Sequence, residues 1–294
     1  MPIRHVVLVL LICLAWGGNF LFSALALREI PPFLFTALRL GLLVPLLAFW
    51  LRRPLPGQGW RLLGIGLCTG VLHFGLSFWA LKLAGNLASP AILMQSYVPM
   101  ATLLAVLFLG ERIGWKTVAG IAASFAGVLV LGFDPVVLES PASMGLMLVS
   151  ALFLAMGTVM MRGLTGLTPM GQQCWVAIIA IGPLLALSLV LEHDQWHALR
   201  AASWTAWGGV VYSSLIASVL GHGLFYWLVQ RHPVSTVTPY LLLAPVVAIV
   251  LGILFFGDRP GLRLLLGGAM VLGGVLTIAV RAKARATEAP LLEL

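Results

Sequence analysis

Charged residues are scarce in this chain of 294 residues, since only 9% of them are Asp, Glu, Lys or Arg. A soluble domain usually carries roughly 25% charged residues, because its surface faces water. None of the acidic residues lies in the middle of a long apolar run. The composition therefore excludes a soluble domain, and it places no carboxylate inside the apolar runs.

Cysteines and catalytic motifs are scarce as well. The three cysteines lie inside apolar runs, at spacings that suit neither a disulfide framework nor a metal site. The sequence contains no Gly-x-Ser-x-Gly, no paired aspartates and no His-Glu-x-x-His. His193 and His197 lie four residues apart in a polar loop, and a metal site there is a minor alternative. We therefore predict no enzyme, no cofactor and no metal.

The net charge of +8 comes from basic residues scattered between apolar runs rather than gathered in one stripe. That distribution does not match a nucleic-acid surface, so no nucleic-acid partner is predicted. Lys and Arg in the cytoplasmic connections of a membrane protein explain the charge better.

Hydrophobic residues make up 61% of the chain and form ten runs, each long enough to cross a bilayer as a helix of about 20 residues. The first run continues well beyond the length of a signal peptide, so we assign it as a span. Connections that contain Pro, Gly and charged residues separate the runs. The predicted spans are 6–27, 32–51, 62–82, 87–109, 115–133, 143–162, 170–191, 204–229, 235–256 and 262–281.

The basic residues also predict how the spans are oriented. With the N-terminus in the cytoplasm, most of the basic residues in the connections and tails fall on the cytoplasmic side. We therefore predict a multi-pass protein of the bacterial inner (plasma) membrane with both termini cytoplasmic. The cytoplasmic set is Arg4, Arg52, Arg53, Arg61, Arg112, Lys116, Arg162, Arg231, Arg281, Lys283 and Arg285, and the outer set is Arg28, Lys82, Arg200, Arg259 and Arg263.

Short segments recur in the same order in the two halves of the chain. They pair 108–112 with 255–259, 45–48 with 183–186 and 75–79 with 223–227. An odd number of helices per half inverts the second half in the membrane, as in many secondary transporters. The sequence thus predicts an all-α membrane protein of ten transmembrane helices, arranged as two inverted five-helix repeats around a central cavity. The repeats are predicted at 1–139 and 140–283, followed by a cytoplasmic tail at 284–294.

Three features resemble the drug/metabolite transporter superfamily, and within it the EamA-type members. They are the segment 16–20 (Trp-Gly-Gly-Asn-Phe), Arg39 in the second span, and the segment 110–112 (Gly-Glu-Arg) with its echo at 257–259 (Gly-Asp-Arg). The resemblance covers nearly the whole chain, and it is closest to bacterial exporters of aromatic amino acids. It implies a transporter of small metabolites.

Arg39 is a candidate because a charge at membrane depth is costly unless it faces water or a partner. It is interpreted as an anchor for a substrate carboxylate or as a gate residue. The alternative is an Arg whose head reaches the outer interface, or pairs there with Glu29 or Asp258.

Polar residues four apart form one stripe on the third span and another on the eighth. We interpret both stripes as the lining of a cavity, and hydrogen bonding between helices is the alternative. Aromatic residues at depth can stack on an apolar or aromatic substrate, or simply pack. The predicted substrate-binding residues are Trp16, Asn19, Arg39, His73, Ser77, Phe78, Trp79, Gln95, Tyr97, Ser218, His222 and Tyr226.

The resemblance implies an exporter of small metabolites, above all amino acids including aromatic ones, and we expect it to work by alternating access. The lack of a buried acid argues against strict proton coupling. The alternative is export of lipophilic drugs or another small metabolite by proton antiport. The expected partners are a small-molecule substrate and the lipid bilayer, and the features are compatible with a monomer.

Overall fold

Ten apolar helices make up the bundle in this computed structural model, which describes residues 2–229, 231–232 and 234–288. The described residues contain no β-strand, so the all-α prediction is confirmed. Each helix coincides with a predicted span. The helices are α1 (Ile3–Ala26), α2 (Pro32–Trp50), α3 (Gly59–Ala84), α4 (Ala88–Leu109), α5 (Trp115–Gly132), α6 (Pro141–Met161), α7 (Pro169–Leu191), α8 (Trp204–Leu228), α9 (Pro239–Phe256) and α10 (Leu262–Arg281).

The helix of α10 continues beyond the membrane span as far as Glu288. The first part of the predicted tail therefore extends this helix, while residues 289–294 lie outside the described residues. Short helices at Pro135–Leu138 and Gln195–Ala201 lie in the connections.

The two halves share irregularities at matching places. A π-helical stretch interrupts α3 at Gly66–His73 and α8 at Tyr212–Gly221. A proline lies inside α2 at Pro45 and inside α7 at Pro183. Because both halves carry these features in the same order, the backbone supports the repeat that the sequence predicts.

The fourth helix of each half is broken near a proline. The first part of α4 ends at Met94 and the second begins at Tyr97, while the helix of α9 is interrupted at Leu242. Pro99 and Pro245 lie shortly after the breaks. A proline ring lacks the N–H and displaces the carbonyl about four residues earlier, which accounts for both positions.

Glycines bring α5 and α10 into close contact. A Cβ atom at Gly127 would lie 2.6 Å from the carbonyl oxygen of Gly267, and one at Gly267 would lie 2.7 Å from that of Gly127. Gly120 faces Gly274 in the same way one heptad away. These two helices thus pack closely within one chain, and their contact joins the two halves.

Four carboxylates at one end of the bundle cap helix N-termini, and this end is called the acidic end below. Free N–H groups and the helix dipole make such termini good partners for an acid. In each case the acid and the capped helix belong to different halves. Glu192 accepts from the Phe33 and Leu34 amides, Asp134 from Leu264, Asp258 from Leu87, and Glu29 from the Ser203 amide and hydroxyl.

An apolar cluster closes the acidic end. It contains Leu27, Phe35, Phe78, Leu87 and Val210, which are all buried and come from both halves. Three further buried clusters lie beside it. One joins α1, α8 and α9, another joins α2, α3 and α7, and a third joins α3, α4, α5, α6 and α10. The acidic end therefore combines an apolar cluster from both halves with the four helix caps.

Candidate functional site

Arg39 lies in the first half of α2 with only 2% of its surface exposed. Its Nη2 donates a hydrogen bond of 2.9 Å to Ser218 Oγ on α8, and Ser214 Oγ donates to the Arg39 carbonyl at 2.8 Å. The guanidinium carbon stands 4.4 Å from the ring centre of Phe74 and 5.1 Å from that of Phe78. Arg39 thus bridges the two halves at depth.

The alternative positions considered for Arg39 are wrong. Glu29 and Asp258 cap helices of the acidic end instead of pairing with it. The guanidinium points away from that end, toward Ser218 in the middle of α8.

Much of the hydrogen-bonding capacity of Arg39 is unused. A guanidinium has five N–H donors, of which Nε and Nη1 carry three. No group among the described residues accepts a hydrogen bond from either atom, although both are buried. Nη2 carries two hydrogens and uses one of them for Ser218. The other lies parallel to an N–H of either Nε or Nη1, so one edge of the guanidinium keeps two free N–H groups. Such an edge matches a carboxylate.

His73 is held by the neighbouring helix α6. Ser150 Oγ donates to the His73 carbonyl at 2.9 Å, so its only proton is used, and His73 Nδ1 donates to that oxygen at 2.9 Å. Ser77 Oγ donates to the Phe74 carbonyl of its own helix. The polar stripe of α3 therefore makes hydrogen bonds within α3 and to α6, which was the alternative interpretation. His73 also lies close enough to Arg39 to interact with its charge.

An aromatic group lies next to Ser218 on α8. Trp16 Nε1 donates to the Ala217 carbonyl at 3.0 Å, and His222 Nδ1 lies 3.2 Å from the same oxygen. The His222 ring is 5.1 Å from the Trp16 ring and 6.0 Å from that of Tyr226. This group and the Arg39 group are connected through consecutive residues of one π-helical stretch, a feature common at functional sites.

Three of the predicted residues lie deep in the bundle without being fully enclosed. Tyr97, His222 and Tyr226 are surrounded by protein, yet each keeps part of its surface accessible. Each of them therefore lies at the edge of an internal space or of the bundle surface, and the cavity beside α8 stays a prediction.

Other predicted residues lie apart from this group. The Trp79 ring packs at 5.6 Å from Phe33 beside the cluster between α2 and α7. Asn19 Oδ1 accepts a bond of 3.3 Å from Ser23 of its own helix. Gln95 lies at the break of α4, before Tyr97. The structure gives Trp79 the packing role that was its alternative.

Sequence reasoning missed Phe74, Ser150 and the role of Ser214. It also missed Phe225, whose ring centre lies 5.9 Å from that of Trp16. Phe74 and Phe78 are four residues apart and both lie against the guanidinium. The spacing argument applied to the polar stripes would have found this pair if aromatic residues had been included. The partnership of Ser150 with His73 spans 77 residues, and no local signal announces it.

Comparison with known proteins supports the repeat. The family model described as "EamA-like transporter family" matches the chain twice, at 3–133 and at 142–280. Each match covers five of the ten spans.

Similar proteins cover most of the chain. A protein of Escherichia coli named "Probable amino-acid metabolite efflux pump" is 30% identical over 92% of this chain and 91% of its own length. A "Probable terminal-alkyne amino-acid exporter" of Streptantibioticus cattleyicolor is 29% identical over 69% of this chain and 67% of its own length. One crystal structure, at 19% identity, has a TM-score of 0.63 and covers 97% of this chain and 99% of that one, which shows the fold alone.

Proposed function

The chain belongs to the EamA-like transporter family, and from that premise we propose that it exports amino acids, including aromatic ones, by alternating access without obligatory proton coupling. Its ten spans and its relatives indicate a multi-pass membrane transporter of small metabolites. The relatives' names refer to amino acids, and the site supplies the chemical argument for that substrate class.

The unused edge of the Arg39 guanidinium carries the proposal. A buried cation with unpaired donors is costly, and a bound carboxylate would relieve that cost with two charge-assisted hydrogen bonds. The α-carboxylate is common to all amino acids. A site built on it therefore accepts a range of side chains, as expected for an export pump of metabolites.

The aromatic residues support substrates with aromatic side chains. Trp16, His222 and Tyr226 form a ring cluster beside Ser218, so a carboxylate on Arg39 brings its side chain near these rings. Offset or edge-to-face contacts between rings contribute about 0.5–1.5 kcal/mol beyond burial.

The shape of the bundle supports alternating access. The acidic end is closed by an apolar cluster and four helix caps that join the two halves. With the orientation predicted from the basic residues, the closed end faces outward and the site is reached from the cytoplasm. Loading from the cytoplasm is the step that an exporter needs.

The lack of acids supports weak or absent proton coupling. No Asp or Glu falls within the ten spans found in the described residues. His73 is engaged with Ser150, which leaves it poorly suited as a mobile proton carrier. The alternative, proton antiport of a lipophilic drug or another metabolite, predicts transport that stops without a pH gradient.

Counterflow in proteoliposomes tests the proposal. Vesicles loaded with unlabelled L-phenylalanine should accumulate labelled L-phenylalanine at equal pH on both sides, and Arg39→Gln should slow this about a hundredfold at concentrations below KM. Arg28→Gln is the matched control, because Arg28 stacks on Phe256 at the acidic end, away from the site. Absence of exchange with every amino acid tried would refute the substrate class. Exchange that requires a pH gradient would refute the uncoupled mechanism.

A further inference from the structure

We propose that the Arg39 site selects organic carboxylates with net negative charge, so that aromatic carboxylates lacking an amino group are transported as well as amino acids, while the corresponding amines are not. The inference rests on the proposed function, because it concerns the charge preference of the same site. It adds a substrate class that an amino-acid exporter would not be expected to carry.

The first step is the charge balance inside the membrane. Arg39 brings a positive charge to depth, and no acidic residue falls within the spans of the described part of the chain. The acids near the membrane surface have other partners. Glu29, Asp134, Glu192 and Asp258 cap helices at the acidic end, and Glu111 pairs with Arg162 at the other end. The empty site therefore has a net positive charge.

The second step concerns the two charges of an amino acid. Its carboxylate neutralises the guanidinium through the free edge formed with Nε or Nη1. Its ammonium then adds a second positive charge a few ångströms from Arg39, in a medium that screens charges poorly. Removing the amino group removes that repulsion and keeps the attraction.

The third step is the supply of acceptors for an ammonium near the guanidinium. Ser218 Oγ donates its proton to the Ser213 carbonyl and accepts from Arg39. The Ala217 carbonyl already faces Trp16 Nε1 and His222 Nδ1. The rings of Phe74 and Phe78 are occupied by the guanidinium itself. The acceptors that remain on these residues are the unpaired Ser213 Oγ and the Nε2 atoms of His73 and His222. All three are neutral, so none of them balances the charge of an ammonium beside Arg39.

Three ligands with one phenyl ring separate the charges. L-phenylalanine carries both groups, phenylpyruvate carries only the carboxylate, and phenethylamine carries only the ammonium. Proteoliposomes loaded with each unlabelled compound are tested for uptake of the labelled form of the same compound, so that every exchange moves no net charge. Protein-free vesicles correct for leakage.

We expect phenylpyruvate to drive exchange at least as well as L-phenylalanine, and phenethylamine to drive it at least about tenfold less well, since like charges repel at this range. Arg39→Gln should abolish phenylpyruvate exchange, and Arg28→Gln should keep it. The unfolding temperature of each variant in detergent establishes that loss of exchange is not loss of fold.

The outcomes separate the two proposals. Exchange of L-phenylalanine without exchange of phenylpyruvate overturns this inference and leaves the proposed function intact. Exchange of phenylpyruvate alone keeps the charge preference of the site but overturns amino-acid export, and with it the part of the inference that has both classes transported. Phenethylamine exchange at a rate like that of L-phenylalanine, or phenylpyruvate exchange by folded Arg39→Gln, overturns the inference. Failure of all three compounds overturns both.

Discussion

Replacing Arg39 by Gln should separate transport from stability. If Arg39 binds a ligand, the unliganded protein contains a buried cation whose hydrogen-bond donors are only partly paired, and this lowers its stability. Its hydrogen bond to Ser218 is worth about 1.5–3 kcal/mol, and its contacts with Phe74 and Phe78 about 0.5–2 kcal/mol each. The desolvation of one buried charge costs several kcal/mol, which is of the same size. We therefore expect the stability of the unliganded variant to change by no more than about 1–2 kcal/mol.

Transport should respond much more strongly. Two charge-assisted hydrogen bonds to a carboxylate contribute about 3 kcal/mol together at the low end of their range. Their loss corresponds to about a hundredfold rise in KM for exchange. Arg39→Lys keeps the charge but lacks the planar pair of donors, so its KM should lie in between, about tenfold above that of the wild type.

The assay combines thermal unfolding in detergent with counterflow on the same preparations. Ligand binding stabilises the folded state by mass action, so L-phenylalanine should raise the unfolding temperature of the wild type and not that of Arg39→Gln. Arg28→Gln should behave like the wild type in both measurements.

One result would refute this reasoning. If unliganded Arg39→Gln unfolds at a much lower temperature while its exchange per folded molecule is unchanged, Arg39 holds α2 against α8 and binds no ligand. A loss of both properties would be resolved by Arg39→Lys, which keeps the charge. If Arg39→Lys has the stability of the wild type but impaired exchange, Arg39 is a binding residue as proposed.

Three further predictions concern packing and charge. Phe74→Leu removes the ring 4.4 Å from the guanidinium carbon and should raise KM about fivefold without changing substrate preference, as measured by counterflow. Gly127→Ala places a methyl group 2.6 Å from a carbonyl of α10 and should lower the unfolding temperature, whereas Gly273→Ala, which meets open space, should not. Hydrogen bonds from Ser203 lower the pKa of Glu29, so its contribution to stability is present above the ordinary carboxyl pKa and is lost as pH falls through the lowered value. A pH series of unfolding temperatures should show that loss in the wild type and less of it in Glu29→Gln.

The ten spans and the repeat were predictable because they depend on local composition and order. Twenty apolar residues specify a membrane helix without reference to the rest of the chain. The Gly at 110 and its counterpart at 257 both end their helices with positive φ, at 67° and 70°, as their matching segments imply. Such features are encoded within a few residues.

The faces of α3 and α8 were harder to predict. The sequence argument assumed an α-helical period, which places Thr69, His73 and Ser77 on one face. The π-helical stretch at Gly66–His73 changes that period, so His73 meets Ser150 of α6 while Phe74 meets Arg39. No local residue pattern specifies where such a stretch occurs.

The partners of the acids at the acidic end were also beyond sequence reasoning. The sequence shows only that these acids lie outside the middle of the apolar runs. Each in fact caps a helix of the other half, at separations of 130 to 174 residues. Only the folded arrangement brings these termini next to the acids.

Under the proposed alternating-access mechanism, the contacts between the halves predict which helices move. The pair α2 and α7 is joined at the acidic end by Glu192 with the Phe33 amide, and at the other end by Trp175 Nε1 with the Arg52 carbonyl. A second pair, α5 and α10, is held together along its length by its glycines. Separating either pair would break contacts at both ends, so these pairs are suited to act as fixed axes. The motion then falls to α3, α4, α8 and α9, which carry the π-helical stretches and proline breaks, and Arg39 reaches from a fixed helix to a moving one. A carboxylate bound to Arg39 beside Ser218 is therefore placed where its charge can favour one position of α8 over the other.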